Sequence, residues 1–203
     1  MAARADAAAA TQARILGAAR NLFTTRYYGD VTLQEIAGQA GITLQTVLRR
    51  FRSKEELFGA LVAEMEPQIM AGRNQAMSGS LDEIAQALVA SYDDMGEGNV
   101  RALHQEAQFP VLHEMLDRAR AVHRDWVERT FARLLAKSRA EGRERRVVLL
   151  VAATGIGVWA LWRRELGMSR KETTRAMLDM LGALERAFLE DDARERAAKR
   201  SER

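Results

Sequence analysis

The stretch VTLQEIAGQAGITLQTVLRRF, residues 31–51, is dense with helix punctuation. Val31, Thr32, Glu35 and Ile36 spell a capping box with a hydrophobic staple. The Thr hydroxyl takes a free backbone N–H, the Glu carboxylate reaches back, and the flanking apolar pair closes the corner. A helix therefore begins at Thr32. Its inner stripe is Leu33, Ile36, Ala37 and Ala40, and Gly41 stops it as a C-terminal glycine commonly does. The next helix opens almost at once, capped by Thr43 and stapled by Ile42 and Val47, and the tight link through Gly41 and Ile42 makes the two helices cross steeply. This second helix is barely two turns long, too short to persist alone in water. Val47 and Phe51 face inward, which leaves Thr43, Leu44, Gln45, Thr46, Arg49 and Arg50 available on its outer side.

Helical signals continue on both sides of this pair. Ile15, Leu16, Ala19, Leu22 and Phe23 form one stripe of a helix over about residues 10–26. Ser53 and Glu56 make another capping box, opening a helix whose inner face is Leu57, Phe58, Leu61 and Met65. Beyond Pro67 the texture changes to long helices. MAGRNQAMSGS, residues 70–80, reads as a helix end and connector; a helix follows over 81–95 and is expected to end at GEGN, residues 96–99. From Pro110, which suits a first helical turn, an apolar stripe runs from Leu112 to Leu135, with Glu141 and Gly142 ending that helix. Two more helices are expected over about 144–166 and 169–189. Apolar residues recur at helical spacing nearly everywhere without strand alternation, so the fold class is all-α.

Composition narrows the function. The chain has 203 residues, 47% of them hydrophobic, enough for one large domain or two small ones. The absence of cysteine removes disulfides, thiolate zinc sites and thiol nucleophiles together, and suits a reducing interior. The opening MAARADAAAATQAR lacks the charged, apolar and cleavable parts of an export signal, so a cytoplasmic location is expected. The longest uncharged run, VVLLVAATGIGVWALW (147–162), is shorter than the roughly 20 residues that span a bilayer. Diluted by Thr154, Gly155 and Gly157, it reads as a buried helix, and no membrane partner is expected. A formal charge of +3 with a pI near 9.6 permits a nucleic-acid partner without demanding one.

Two short helices joined through a glycine and packed on a longer first helix form a helix-turn-helix, whose second helix is normally the one placed in the major groove. That accounts for the short helix: its neighbours support it, and its polar face is turned toward DNA. Gln45 suits an adenine edge, Arg49 a guanine or a phosphate, and Leu44 a thymine methyl.

Over residues 12–65 the sequence resembles the tetracycline-repressor (TetR) family of bacterial regulators, through RILGAARNLF (14–23), VTLQEIAGQAGIT (31–43) and FRSKEELF (51–58). The resemblance implies an N-terminal three-helix helix-turn-helix domain over 1–58 and a larger helical effector-binding and dimerisation domain over 59–190. A charged tail over 191–203 is expected to fray. By matched position, Thr32, Arg50 and Lys54 fall where the family contacts phosphates, and Gln34, Leu44, Gln45, Thr46 and Arg49 where it meets bases or the groove wall. Three positions depart from the pattern. Tyr27 replaces the usual glycine before the aromatic Tyr28, Gln45 occupies a position often glycine or proline, and Leu48 replaces a tyrosine that typically touches the DNA backbone.

Other chemistry is weaker. Asp93, Asp94 and Glu97 spell Asp-Asp-x-x-Glu, similar to the magnesium-binding carboxylates of isoprenoid synthases, but no second acidic motif completes such a site. His104, His113 and His123 lack Glu-x-x-His or His-Glu-x-x-His spacing. No catalytic residue, metal or cofactor is therefore expected, and the chain reads as a regulator rather than an enzyme; a helical enzyme acting on an apolar substrate is the competing class. Tyr92, Met95, Phe109, Met115, Trp126 and Trp159, with His104, Gln105 and His123 near them in sequence, are components of an apolar cavity with a few polar anchors. Tyr92, Met95, His104, Phe109, Trp126 and Trp159 are the candidate ligand contacts. The last two long helices are apolar over wide arcs, with Gly155, Gly157 and Ala160 allowing close approach, and are expected to pair across a two-fold axis as a four-helix bundle. The expected function is that of a homodimeric transcriptional regulator, a repressor held on a near-palindromic operator of double-stranded DNA and released by an unknown small-molecule effector.

Overall fold

The computed structural model describes residues 2–136, 138 and 140–201. Helices account for every regular element among them: α1 (Ala2–Thr25), a 3₁₀ turn (Tyr28–Asp30), α2 (Leu33–Ala40), α3 (Leu44–Arg50), α4 (Lys54–Ala76), α5 (Leu81–Gln105), α6 (Pro110–Thr130), α7 (Ala132–Leu135), α8 (Ala140–Thr154), α9 (Ile156–Ala160), a π turn (Leu161–Glu165) and α10 (Arg170–Ser201). The chain divides into two compact units, Met1–Met70 with Met95–Arg118, and Ala71–Asp94 with Ala119–Arg203.

In the first unit, Ile15, Leu16 and Ala19 of α1, Ile36 and Ala37 of α2, Val47 of α3 and Leu57 and Leu61 of α4 are buried in one core. Each large aliphatic side chain so buried contributes about 1.5–3 kcal/mol, which is what holds the two-turn α3 in place. The capping box forms as its sequence predicts: Thr32 Oγ1 accepts from the Glu35 amide at 3.2 Å and Glu35 Oε2 accepts from the Thr32 amide at 2.8 Å. Gly41 takes φ +65°, a left-handed conformation that favours glycine. Arg14 of α1 reaches across to the freed carbonyls at that corner, Ala40 O at 2.5 Å and Gly41 O at 3.0 Å.

The sequence reading placed the end of α5 at GEGN, yet the helix continues to Gln105. Gly98 packs beside the end of α1, where an added Cβ would lie 3.6 Å from Thr24 Cα in ordinary van der Waals contact; what carries the helix on past it is the set of contacts its later turns make. Arg101 donates to the Thr24 carbonyl and Gln105 Oε1 accepts from the Gly29 amide at 3.3 Å. Phe109 then closes an aromatic group: its ring centroid is 5.1 Å from that of Tyr28, which stacks on Phe23 at 5.4 Å and meets Phe58 edge-on at 5.2 Å.

In the second unit the long helices are interrupted where their sequences read as continuous. The helix expected from 110 to 140 breaks at the buried Phe131, and the one expected over 144–166 begins at Ala140 and breaks at Gly155, whose ψ of 155° is extended. The stretch Gly142–Glu165 is long and apolar enough to cross a membrane by composition. Within it Val147, Leu150, Ala153 and Trp159 are buried, and so is Arg146, while Val148, Leu149 and Leu161 are exposed. Arg146 pairs with buried Asp192 at 2.7 Å and donates to Leu134 O and Phe188 O. The last helix runs through most of the stretch expected to fray, reaching Ser201, with Asp192 inside it; residues 202 and 203 lie outside the described residues.

Candidate functional site

The outward side of α3 follows from its caps. Thr43 Oγ1 accepts from the Thr46 amide at 3.3 Å and bonds the Thr46 hydroxyl at 2.9 Å, so these two hydroxyls fix the first turn of the helix to itself. Val47 is fully buried, and Leu44 is half-buried against the core, which turns part of its side chain inward. Exposed on α3 are Gln45, Leu48, Arg49 and Arg50. Gln45 and Arg49 lie four residues apart, on one face of the helix, and neither has a hydrogen bond or ion pair among the described residues. Arg50 donates to the Ala8 carbonyl of α1 at 3.0 Å through one of its amino groups.

Around this helix the other expected contacts have structural duties as well. Gln34 is exposed on α2. Thr32 is exposed but closed into its capping box, and Glu35 of that box pairs with Arg26 at 2.7 Å. The Arg26 hydrogen bond, joined by those from Thr32, holds the Glu35 carboxyl down at about 2. Lys54 Nζ donates to Tyr28 O and Val31 O, both at 3.0 Å, and stands 4.3 Å from the Tyr28 ring centroid. Burial pulls its pKa below the ordinary lysine value. Two of its three N–H donors are thus committed to closing the 3₁₀ turn, and one remains for a phosphate. Sequence reasoning missed the arginines that assemble this surface, Arg14, Arg26 and Arg101. Their partners are backbone carbonyls and a distant carboxylate, which no local spacing announces.

The six candidate ligand contacts are divided between the two units. His104 is exposed and Phe109 packs on Tyr28, both within the first unit, to which half-buried Met95 also belongs. Tyr92, Trp126 and Trp159 come together in the second. Tyr92 and Trp159 have centroids 6.1 Å apart, and the Tyr92 hydroxyl donates to Thr154 O at 2.9 Å. The Thr154 hydroxyl donates to Leu150 O at 2.7 Å, so its contact with His123 Nε2 at 3.1 Å has the imidazole as donor. His123 stacks on Trp126 with centroids 6.1 Å apart. Burial, and then the nearby Arg73 charge, drive the His123 pKa down to about 4 and keep the ring neutral at pH 7. Arg73, which the sequence reading did not single out, is itself buried: its Nε donates to Ser91 Oγ at 2.9 Å and its guanidinium carbon lies 4.6 Å from the Tyr92 centroid.

The acidic motif has other duties. Asp93 accepts from Trp159 Nε1 at 3.0 Å and Arg163 Nε at 3.1 Å and pairs with Arg170 at 3.7 Å, so its carboxylate orients cationic and N–H groups. His113 is exposed and hydrogen-bonded at both ring nitrogens, to Glu106 at 3.0 Å and Asp117 at 3.1 Å.

A capped, glycine-linked helix pair on a supporting first helix, with unpaired Gln45 and Arg49 facing outward, defines a helix-turn-helix DNA-binding protein. Residues 15–61 match the family model of the bacterial regulatory proteins of the tetR family. Solved structures share the whole fold. A TetR-family transcriptional regulator from Streptomyces coelicolor superposes with a TM-score of 0.68 at 19% identity, covering 95% of this chain and 98% of that one. A second from the same organism gives 0.67 at 20% identity, with 89% and 96% covered. A transcriptional regulator from Rhodococcus sp. Rha1 gives 0.67 at 16% identity, with 87% and 96% covered. No curated protein matches the sequence.

Proposed function

We propose that the chain is a homodimeric, ligand-responsive repressor that occupies a near-palindromic operator in the cytoplasm and leaves it when a small molecule binds the second unit. The observation that carries this reading is the outward pair Gln45 and Arg49 on an α3 whose Thr46 is tied to the Thr43 cap and whose Arg50 reaches back to α1. Two such helices, related by a two-fold axis and about one helical turn of DNA apart, would read matching half-sites. Phosphate contacts from Arg50, from the free donor of Lys54 and from the Thr32 helix start would set register, while Gln34, Gln45, Thr46 and Arg49 read the groove. Leu48 and the exposed part of Leu44 meet thymine methyls or the groove wall.

Dimerisation through α8 and α10 is supported by apolar side chains left exposed on them, Val148, Leu149 and Leu189. The route from effector to operator runs along α5, which carries Ser91 and Tyr92 in the second unit and Arg101 and Gln105 in the first. A shift of α5 at Tyr92 is carried along a helix rising about 1.5 Å per residue, about 14 Å to Arg101, which holds Thr24 O, and about 20 Å to Gln105, which holds the Gly29 amide. Tenfold release of DNA needs at least about 1.4 kcal/mol of coupling, and operator must weaken effector binding by the same factor.

The test is selection of bound fragments from a genomic library at about 150 mM salt, where non-specific phosphate binding is weak. One near-palindromic site, weakened by Arg49→Ala and Gln45→Ala, is the expected outcome. Salt-sensitive binding with no sequence preference would overturn the repressor reading.

A further inference from the structure

Arg73 is buried to 6% relative exposure and has no carboxylate partner among the described residues. A guanidinium does not discharge inside a protein, and an isolated buried charge is among the most costly features a fold can carry. The other buried arginine, Arg146, shows how the chain ordinarily treats such a group, with Asp192 at 2.7 Å and two backbone carbonyls. Among the described residues Arg73 has the Ser91 hydroxyl and the ring face and hydroxyl of Tyr92, none of them charged. It lies close enough to His123 for its charge to help keep that ring neutral.

A second observation points the same way. His123, Trp126 and Thr130 fall at i, i+3 and i+7 of α6, one stripe of the helix. Each has a buried polar atom without a hydrogen bond: His123 Nδ1, Trp126 Nε1 and Thr130 Oγ1. Unsatisfied buried polar atoms cost about 1–3 kcal/mol each, so three on one stripe call for an explanation. Trp126 Nε1 is a donor, as are the amino groups of Arg73. Thr130 Oγ1 can donate as well, whereas His123 Nδ1, with the ring proton on Nε2, is an acceptor and is not served by an anion. For Arg73, Trp126 Nε1 and Thr130 Oγ1 the missing partner is an acceptor, and the uncompensated charge of Arg73 asks that it be negative.

We propose that the effector is an organic monocarboxylate: its carboxylate pairs with Arg73, and its apolar part lies against Trp126 and Tyr92. This deepens the effector reading above and rests on it. A single carboxylate matches the one formal charge available, since Arg73 is the only cation of the group and His123 is neutral, whereas a phosphate ester would bring a second negative charge without a partner. Among ordinary anions the planar carboxylate also meets the guanidinium fork with two parallel N–H donors.

The experiment uses the full chain and matched probes: octanoate, 3-phenylpropionate and 1-naphthoate, each against its amide, with phenyl phosphate as the dianionic comparison and acetate as the ionic-strength control. Thermal shift and tryptophan emission report binding, and a fluorescent operator reports release. At least one carboxylate is expected to bind tenfold or more tightly than its amide and than phenyl phosphate, and Arg73→Met to abolish that preference. Because Arg73→Met removes an unpaired charge, its melting temperature is expected to match or exceed the wild type. If that variant does not fold, Arg73→Lys serves, with the preference reduced but present. Amides that bind as well as the acids, no response to any carboxylate, or an undiminished preference in Arg73→Met would each overturn the proposal. Carboxylates that bind through Arg73 without loosening the operator would leave the anion site standing and sink its role as effector site. Amides that release the operator as well as the acids do would spare the effector reading and sink the anion.

Discussion

At the scale of single residues, exposed polar groups divide into those that hold the surface together and those left for DNA. Arg49 has no hydrogen bond or ion pair among the described residues, so Arg49→Ala is expected to leave stability within about 0.5 kcal/mol while weakening operator binding by about 1–3 kcal/mol and relaxing specificity at one base position. Fluorescence anisotropy on the operator and on single-base variants, beside urea unfolding, separates the two effects. Glu35 is the opposite case. Its carboxyl is held at about 2 against 4.5 in the unfolded chain. A depressed folded value means that the stability it confers is present above pH 4.5 and is lost as pH falls toward 2. Glu35→Gln is therefore expected to flatten that part of the acid limb in urea midpoints measured across this range; an unchanged limb would show that the pair with Arg26 is not populated in solution. The residues of this capping box could be read directly from their spacing. Arg26, which sets the charge balance of the box, was not, since its pairing with Glu35 depends on the turn at Tyr28–Asp30.

Elements show where periodicity informs and where it misleads. The apolar stripe from Leu112 to Leu135 signalled a helix correctly, but not its break at Phe131, because a buried aromatic satisfies the stripe whether or not the backbone continues. Gly96 and Gly98 signalled an end to α5 that does not occur, since a helical glycine costs only about 1 kcal/mol and the anchoring of Arg101 and Gln105 on Thr24 and Gly29 offsets it. The break at Gly155 has a consequence beside α6. It lies next to Thr154, whose hydroxyl oxygen accepts a hydrogen bond from His123 Nε2 and whose carbonyl accepts one from the Tyr92 hydroxyl. His123 titrates near 6.5 when unfolded and near 4 when folded. Below pH 6.5 the unfolded chain binds the proton first, so stability falls as pH drops from 6.5 to 4, by about 3 kcal/mol in full. His123→Gln is expected to remove most of that decline, measured as urea midpoints at pH 7, 5.5 and 4. An equally steep decline in the variant would place the titration elsewhere.

For the whole molecule, the decisive property is assembly. Val148 and Leu189 are 52% and 42% exposed on α8 and α10, the helices proposed to pair across the two-fold axis. The double substitution Val148→Glu, Leu189→Glu is expected to yield a monomer in sedimentation velocity and to weaken operator binding by tenfold or more, since one recognition helix then binds one half-site. A variant that remains dimeric with full operator affinity would place the interface elsewhere. Local pattern determined the all-α class, the caps at Thr32 and Thr43, the glycine corner at Gly41 and the outward placement of Gln45 and Arg49, because capping and helical burial act between residues a few positions apart. Tertiary structure alone decided that Phe109 and His104 fall in one unit and Tyr92 and Trp126 in the other, that Lys54 closes a turn, and that Arg73 is buried without an acidic partner among the described residues. Those outcomes depend on which distant segments share a core, and the cost of an unpaired charge arises only when packing removes its water.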